Sequence, residues 1–253
     1  MLTFNVAILS KPGGRQYNED ACGHWASARH LCCVLADGAG GHGGGDIASR
    51  LAVTSLLTGF AQAPTNDGAE LLALLRQVNQ AVLDGREPGG ARKDMHTTVV
   101  GLVIDVVTGR ADWTHCGDSR LYWFRNSSML EHTRDHSYVQ GLLDAGLIRE
   151  DEVRSQPKRS VLCSALGQPQ EELDATASFP SRQVNNGDVF LLCSDGVWEY
   201  LTDDMLERSL LQAATPQDWL EDLETMIQEA TRSKTSYDNY SALAVWLHGT
   251  PTL

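Results

Sequence analysis

Acidic residues stand at the ends of apolar runs in this chain. LCCVLA (31–36) ends in Asp37-Gly38, VFLLCS (189–194) in Asp195-Gly196, and THCG (114–117) in Asp118. Two further clusters are Arg15-Gln-Tyr-Asn18-Glu19-Asp20 and Tyr237-Asp238-Asn239. A buried strand delivers its last residue to a defined place at the sheet edge, where an acid is costly unless something positive meets it. One such acid is ordinarily a cap or a surface residue. Several, each followed by a tight turn, predict a shared cation cluster. Ligands that are all oxygen point to Mg²⁺ or Mn²⁺ rather than zinc.

Three other patterns compete for attention. Gly38-Ala-Gly40-Gly-His42-Gly43 fits the dinucleotide-binding pattern G-x-G-x-x-G. Asp37, however, would set a carboxylate beside a pyrophosphate, and Pro64-Thr-Asn-Asp67 leads into a second helix instead of completing a βαβ unit. Glycines that let backbone approach a metal or phosphate are the better reading. Gly117-Asp-Ser119-Arg120 has Leu121 where a nucleophile elbow needs glycine. His132-x-x-x-His136 has zinc-type spacing but no accompanying Glu, and reads as hydrogen-bonded or surface histidines.

The elements that must position the acids are legible in outline. Strands are expected at Thr3–Leu9, Leu31–Ala36, Thr97–Ile104, Ala111–Cys116, Arg120–Phe124, Val189–Cys193 and Ser241–Leu247. LCCVLA and VFLLC are apolar at successive positions, so both predict central strands covered on two faces. Helical period runs through Asp46–Phe60 and through Leu71, Leu75, Val78 and Val82, with Asp67 as an N-cap. Thr215-Pro216 opens a third helix, whose Trp219, Leu220, Leu223 and Ile227 form one stripe. The order does not alternate as in parallel α/β proteins, and neighbours such as Thr97–Ile104 and Ala111–Cys116 favour antiparallel sheets. Gly141–Arg182 has little period and reads as a mobile insertion or lid.

Composition narrows the classes further. The 253 residues carry 20 Lys+Arg against 33 Asp+Glu, a net charge of −13, with 42% hydrophobic residues. That excludes disorder and disfavours nucleic acid as a partner. The uncharged run Leu51–Ala63 is too short and too polar to span a membrane. The N-terminus has no basic region before its apolar run, so it predicts a first strand and a cytoplasmic protein. The six cysteines include no C-x-x-C pair and no Arg six positions on, so they point neither to a cysteine-held structural zinc nor to a cysteine-phosphatase loop.

In order along the chain, Arg15-x-x-Asn18-Glu19-Asp20, Asp37-Gly-x-Gly-Gly-His42, Thr97-Thr98, Gly117-Asp118-Ser119-Arg120, Thr133-x-Asp135-His136-Ser137, Leu192-Cys-Ser-Asp195-Gly196-x-Trp198 and Asp238-Asn239-x-Ser241 resemble the metal-dependent type 2C serine/threonine protein phosphatases, bacterial branch. The match runs from Arg15 to Ser241. It implies an α+β, four-layer sandwich: two packed antiparallel β-sheets flanked by helix pairs. The whole of 1–253 would be one catalytic domain, with a flap at about 141–182.

Residue by residue, the resemblance implies that Asp37 bridges two tightly bound Mn²⁺ or Mg²⁺ ions. Asp195 and Asp238 hold one of them, and the backbone carbonyl of Gly38 holds the other. Glu19 acts through metal-bound water, Asp20 orients the cluster, and Asp118 holds a weak third metal. Arg15 holds the substrate phosphate. The implied activity is hydrolysis of phosphoserine and phosphothreonine in proteins by a metal-bridging hydroxide, by a monomer that reverses a cytoplasmic Ser/Thr kinase and acts on that kinase or its targets. Ala39 stands where some relatives carry a histidine, which leaves metal-bound water or His42 as the general acid. Arg149, Arg154, Lys158, Arg159 and Arg182 are expected to face phosphorylated segments. The alternative is a catalytically silent, phosphatase-like signalling module. The complete set Glu19, Asp20, Asp37, Asp118, Asp195 and Asp238 argues against it.

Overall fold

The computed structural model describes residues 1–39, 44–87, 89–90 and 92–249. In chain order the elements are β1 (Leu2–Lys11), β2 (Asp20–Ala26), β3 (His30–Ala39), α1 (Gly45–Gln62), α2 (Gly68–Asp84), β4 (His96–Thr97), β5 (Val99–Asp105), β6 (Arg110–Cys116), β7 (Arg120–Arg125) and β8 (Ser128–His132). There follow α3 (Tyr138–Asp144), a 3₁₀ turn (Glu150–Ser155), β9 (Thr176–Ala177), β10 (Arg182–Gln183), β11 (Val189–Cys193), α4 (Asp195–Trp198), α5 (Asp203–Gln212), α6 (Pro216–Thr231) and β12 (Tyr240–Gly249).

Two antiparallel sheets result, ordered β1-β12-β11-β7-β8 and β10-β6-β5-β3-β2. Strand periodicity explains the layering. In β3, Leu31, Cys33 and Leu35 point into the core between the sheets, while Cys32, Val34 and Ala36 meet α1 and α2. In β11, Phe190 and Leu192 face the other sheet, while Leu191 and Cys193 pack under α5 and α6 with Trp219, Leu223 and Ile227. Both runs expected as doubly covered strands are therefore central, and the four-layer α+β sandwich is present. The N-caps behave as their sequences predict. Asp67 accepts from the amides of Ala69 and Glu70, and Thr215 from that of Asp218.

The structure departs from the sequence reading in three places. The run Thr97–Ile104 is divided into β4 and β5 at Thr98, where the side-chain hydroxyl takes the Asp37 amide at 3.0 Å. Strands β2 and β8 are edge strands with half-exposed faces, so they carry no clear alternation in sequence. The segment 141–182 is not wholly irregular: α3 runs into it, and β9 and β10 both pair with β6. No helix among the described residues is long and apolar enough to cross a membrane.

Candidate functional site

The acids meet where the strands of both sheets end. Asp20 and Asp37 are direct partners in the β2–β3 register. Thr98 holds Asp37 from both sides of its peptide: its hydroxyl accepts from the Asp37 amide, and its own amide donates to the Asp37 carbonyl at 2.8 Å. Asp195 arrives from the other sheet as the first residue of the one-turn α4. Ser194 ties the sheets together, donating its hydroxyl to Asp20 Oδ2 at 2.9 Å and accepting from the Ser241 amide at 3.0 Å.

Asn239 fixes the remaining pieces. Its Oδ1 accepts from the Glu19 amide at 2.8 Å, and its Nδ2 donates to the carbonyls of Pro12 and Tyr17, each at 2.9 Å. The loop bearing Arg15 and Glu19 is thereby pinned beside Asp238. Arg15 Nη2 donates to Asp238 Oδ2 at 3.0 Å. Two glycines permit the close approach: a Cβ on Gly38 would stand 2.1 Å from the Gly45 carbonyl oxygen, and one on Gly196 1.9 Å from that of Asn239. Those distances forbid any side chain.

The electrostatics are those of an anionic cage. Asp37 is held well above the ordinary carboxylate range by burial, then by the charges of Asp20, Asp195, Asp118 and Asp238. Asp195 is raised likewise, by burial and then by Asp118 and Glu199. Burial also pushes Asp118 up to about 7 and Asp20 to about 6. Glu19 is raised by burial, Asp46 and Asp238, against the opposing pull of Arg15. Asp20 Oδ1 and Asp195 Oδ1 are buried with no hydrogen-bond partner among the described residues. Buried oxygens of this kind are costly unless a cation takes their lone pairs, and a donor set of carboxylates and a backbone carbonyl suits Mg²⁺ or Mn²⁺.

All eight residues expected at the site, Arg15, Glu19, Asp20, Asp37, Gly38, Asp118, Asp195 and Asp238, thus lie at one end of the sandwich. His42 lies outside the described residues. The charges of Asp135 and Glu199 also reach Asp118. Its carbonyl accepts from Trp198 Nε1 at 2.9 Å, and Arg120 lies 3.9 Å over the Trp198 ring while bonding both oxygens of Asp135. The four arginines expected to face phosphorylated segments each pair with a carboxylate. Arg149 pairs with Asp151, Arg154 with Asp203, Arg159 with Glu199 and Arg182 with Glu131. Lys158 lies 5.2 Å from the Tyr138 ring centroid. Glu199, Asp46 and the Ser194 bridge were not singled out from sequence, since nothing local marks a surface-type acid or serine as part of a remote cluster. His132 and His136 do not converge: His136 stacks on His115 at 4.6 Å, and His132 bonds the Thr133 carbonyl.

The profile of the protein phosphatase 2C family matches residues 13–248. The serine/threonine protein phosphatase PstP of Mycobacterium tuberculosis is 34% identical over 219 residues, covering 86% of this chain and 40% of PstP. The chain therefore spans well under half of that relative's length. The protein phosphatase PhpP of Streptococcus pneumoniae is 31% identical over 199 residues, covering 76% of this chain and 78% of PhpP. The crystal structure of the catalytic domain of PstP in complex with two manganese ions superposes with a TM-score of 0.82 at 28% identity, covering 98% of this chain and 100% of that one. With the fold, the motifs and the family profile in agreement, the chain belongs to the protein phosphatase 2C family.

Proposed function

We propose that this chain hydrolyses phosphoserine and phosphothreonine in proteins, using divalent cations held by its acidic cage. The observation that carries the reading is the pair of buried, donor-less oxygens, Asp20 Oδ1 and Asp195 Oδ1, inside a cluster of like charges. A cage of this kind is stabilised by cations, and the manganese in the PstP catalytic domain supports the choice of metal. In this reading Asp37, the Gly38 carbonyl, Asp195 and Asp238 hold two Mn²⁺ or Mg²⁺ ions, with Glu19 and Asp20 supporting them. Asp118 and Asp195 share a weaker third. The bound ions would supply Lewis-acid charge to the phosphoryl oxygens and lower the pKa of water.

The chain's own residues do the rest. Arg15 is exposed beside Asp238, where its fork can take two phosphate oxygens and orient the ester. Asn239 and Ser194 keep the two halves of the cage in register, so that little reorganisation is needed when substrate arrives. The buried thiols play no part: burial pushes Cys32 and Cys193 far above the range in which a thiolate forms. We assign the activity to one catalytic domain over 1–253, with a flap at about 141–182. It acts as a monomer on phosphoproteins in the cytoplasm, opposing a serine/threonine kinase. The silent-module alternative is disfavoured because no acid of the cage is replaced.

The test is release of phosphate from a phosphothreonine peptide, with excess chelator, after Mn²⁺ add-back, and in Asp37→Asn. Activity should vanish with chelator, return with Mn²⁺, and fail to return in Asp37→Asn. Unchanged hydrolysis in chelator contradicts the proposal.

A further inference from the structure

Away from the acidic cage, three side chains from three separate elements meet at the seam between flap and body. His132 ends β8, Glu150 opens the 3₁₀ turn of the flap, and Asp203 opens α5. One ligand atom from each lies within 4.8 Å of the other two. The trio lines a cavity of about 400 Å³.

The imidazole is set for a cation. His132 Nδ1 lies 2.7 Å from the Thr133 carbonyl oxygen. A carbonyl only accepts, so the proton sits on Nδ1 and the lone pair on Nε2. Nε2 stands 3.9 Å from Glu150 Oε1. That is too long for a hydrogen bond. Two tetrahedral ligands at bond lengths of about 2.0–2.2 Å stand about 3.3–3.6 Å apart, so a small movement of the exposed Glu150 side chain would bring the pair onto one ion. A ligating histidine that donates its other N–H to a backbone carbonyl is the usual arrangement around a metal.

Of the three arginines that line the cavity, only Arg154 pairs with one of the trio, through one oxygen of Asp203. Arg120 is spent on Asp135, and Arg134 on Asp144. Arg154 makes its shortest bond to the Trp198 carbonyl, at 2.8 Å, and reaches Asp203 Oδ1 only at 3.4 Å. Each carboxylate has lone pairs to spare. Glu150 has the His132 imidazole as its only ion-pair partner among the described residues.

We propose that His132, Glu150 and Asp203 form a second metal site, of mixed nitrogen and oxygen ligands, for a dication of the zinc class. One imidazole and two carboxylates rank Zn²⁺ and Co²⁺ above Mg²⁺ and Mn²⁺, the reverse of what the oxygen-only cage selects. The site joins the flap, through Glu150, to the body, through His132 and Asp203. Its occupancy would therefore fix the segment from which Arg159 reaches Glu199, one of the acids whose charge acts on Asp195.

The probe is Co²⁺, added to the 253-residue chain whose cage is first saturated with Mn²⁺. Visible absorption and metal analysis report the extra ion. Wild type should take up one further equivalent with a visible band. Asp37→Asn should retain that equivalent. Glu150→Gln, an exposed change that leaves folding untouched, should weaken it by roughly tenfold to a hundredfold or more, since even partners outside the ligand sphere are worth that much. His132→Gln should do the same. Tryptic cleavage after Arg149 and Lys158 should slow with Co²⁺ in wild type and not in Glu150→Gln. The proposal is overturned if wild type takes up no extra ion, if Glu150→Gln and His132→Gln bind it as wild type does, or if Asp37→Asn removes it.

Discussion

Asp20 and Asp37 face one another as registered partners on β2 and β3, two carboxylates on adjoining strands in a cage that Asp195, Asp118 and Asp238 also charge. Like charges this close cannot all ionise in a metal-free chain. They hold protons instead, and binding a dication must release them.

That proton binding makes stability depend on pH. In the folded chain Asp118 rises to about 7 and Asp20 to about 6, from 3.8. Above about pH 5 the unfolded chain has lost these protons while the folded chain keeps them. The stability these groups lend is therefore full below about pH 4 and is lost as pH rises through 6 and 7. His115, lowered to about 4 by burial and the His136 charge, acts in the opposite sense, its share being lost as pH falls from 6.5 toward 4. Asp118→Asn isolates the carboxylate. In chelator, its stability relative to wild type should rise by on the order of 2 kcal/mol from pH 5 to pH 8, and Mn²⁺ should abolish the gain. Urea denaturation at both pH values measures this. An equal difference at both pH values would argue against the raised Asp118.

Arg15 and Asp238 form a half-exposed pair at 3.0 Å, so the proposed phosphate clamp leans on a proposed metal ligand. Such a pair contributes little stability in water. Arg15→Ala should leave Tm unchanged and Mn²⁺ affinity unchanged or slightly tighter, while kcat/KM for phosphopeptide falls by about 2–4 kcal/mol, mostly through KM. Peptide kinetics and Mn²⁺ calorimetry check the two halves. Intact kinetics would make Arg15 a surface residue.

For Asp118 the proposed role is a weak third ion and help in protonating the leaving alkoxide. Asp118→Asn should keep two tight metals and lower kcat on phosphothreonine peptide by roughly 10²–10⁴-fold. Hydrolysis of p-nitrophenyl phosphate, whose leaving group needs little protonation, should suffer less. Both rates should be measured in both proteins. Equal losses refute the protonation role.

Arg120 and Asp135 form a bidentate pair with side chains 9% and 4% exposed. Asp135→Ala leaves a guanidinium buried without its partner, which costs about 3–5 kcal/mol. Because Arg120 supports Trp198, and Trp198 donates to the Asp118 carbonyl, the same change should weaken any metal at Asp118 before those at Asp37. Urea denaturation together with metal analysis tests both. A loss below about 1 kcal/mol would mean that water reaches Arg120.

The strands that are apolar on both faces, the capped helices and the acids that close apolar runs were legible in the amino-acid letters. Each is a local matter: periodicity decides which faces are buried, and an acid that closes an apolar run is carried by the strand to a defined place, as β3 carries Asp37. LCCVLA followed by Asp37 states the burial of β3 and the position of its acid in seven letters. The tertiary structure alone decided what those acids meet. Asp20 pairs with Asp37 because β2, an edge strand without clear alternation, lies beside β3, and Ser194 reaches Asp20 across 174 positions of chain. It also set Arg159 and Arg182 on carboxylates, Glu199 and Glu131. Charge complementarity over such separations depends on which surfaces the packed sandwich brings together, and no local pattern of residues encodes it.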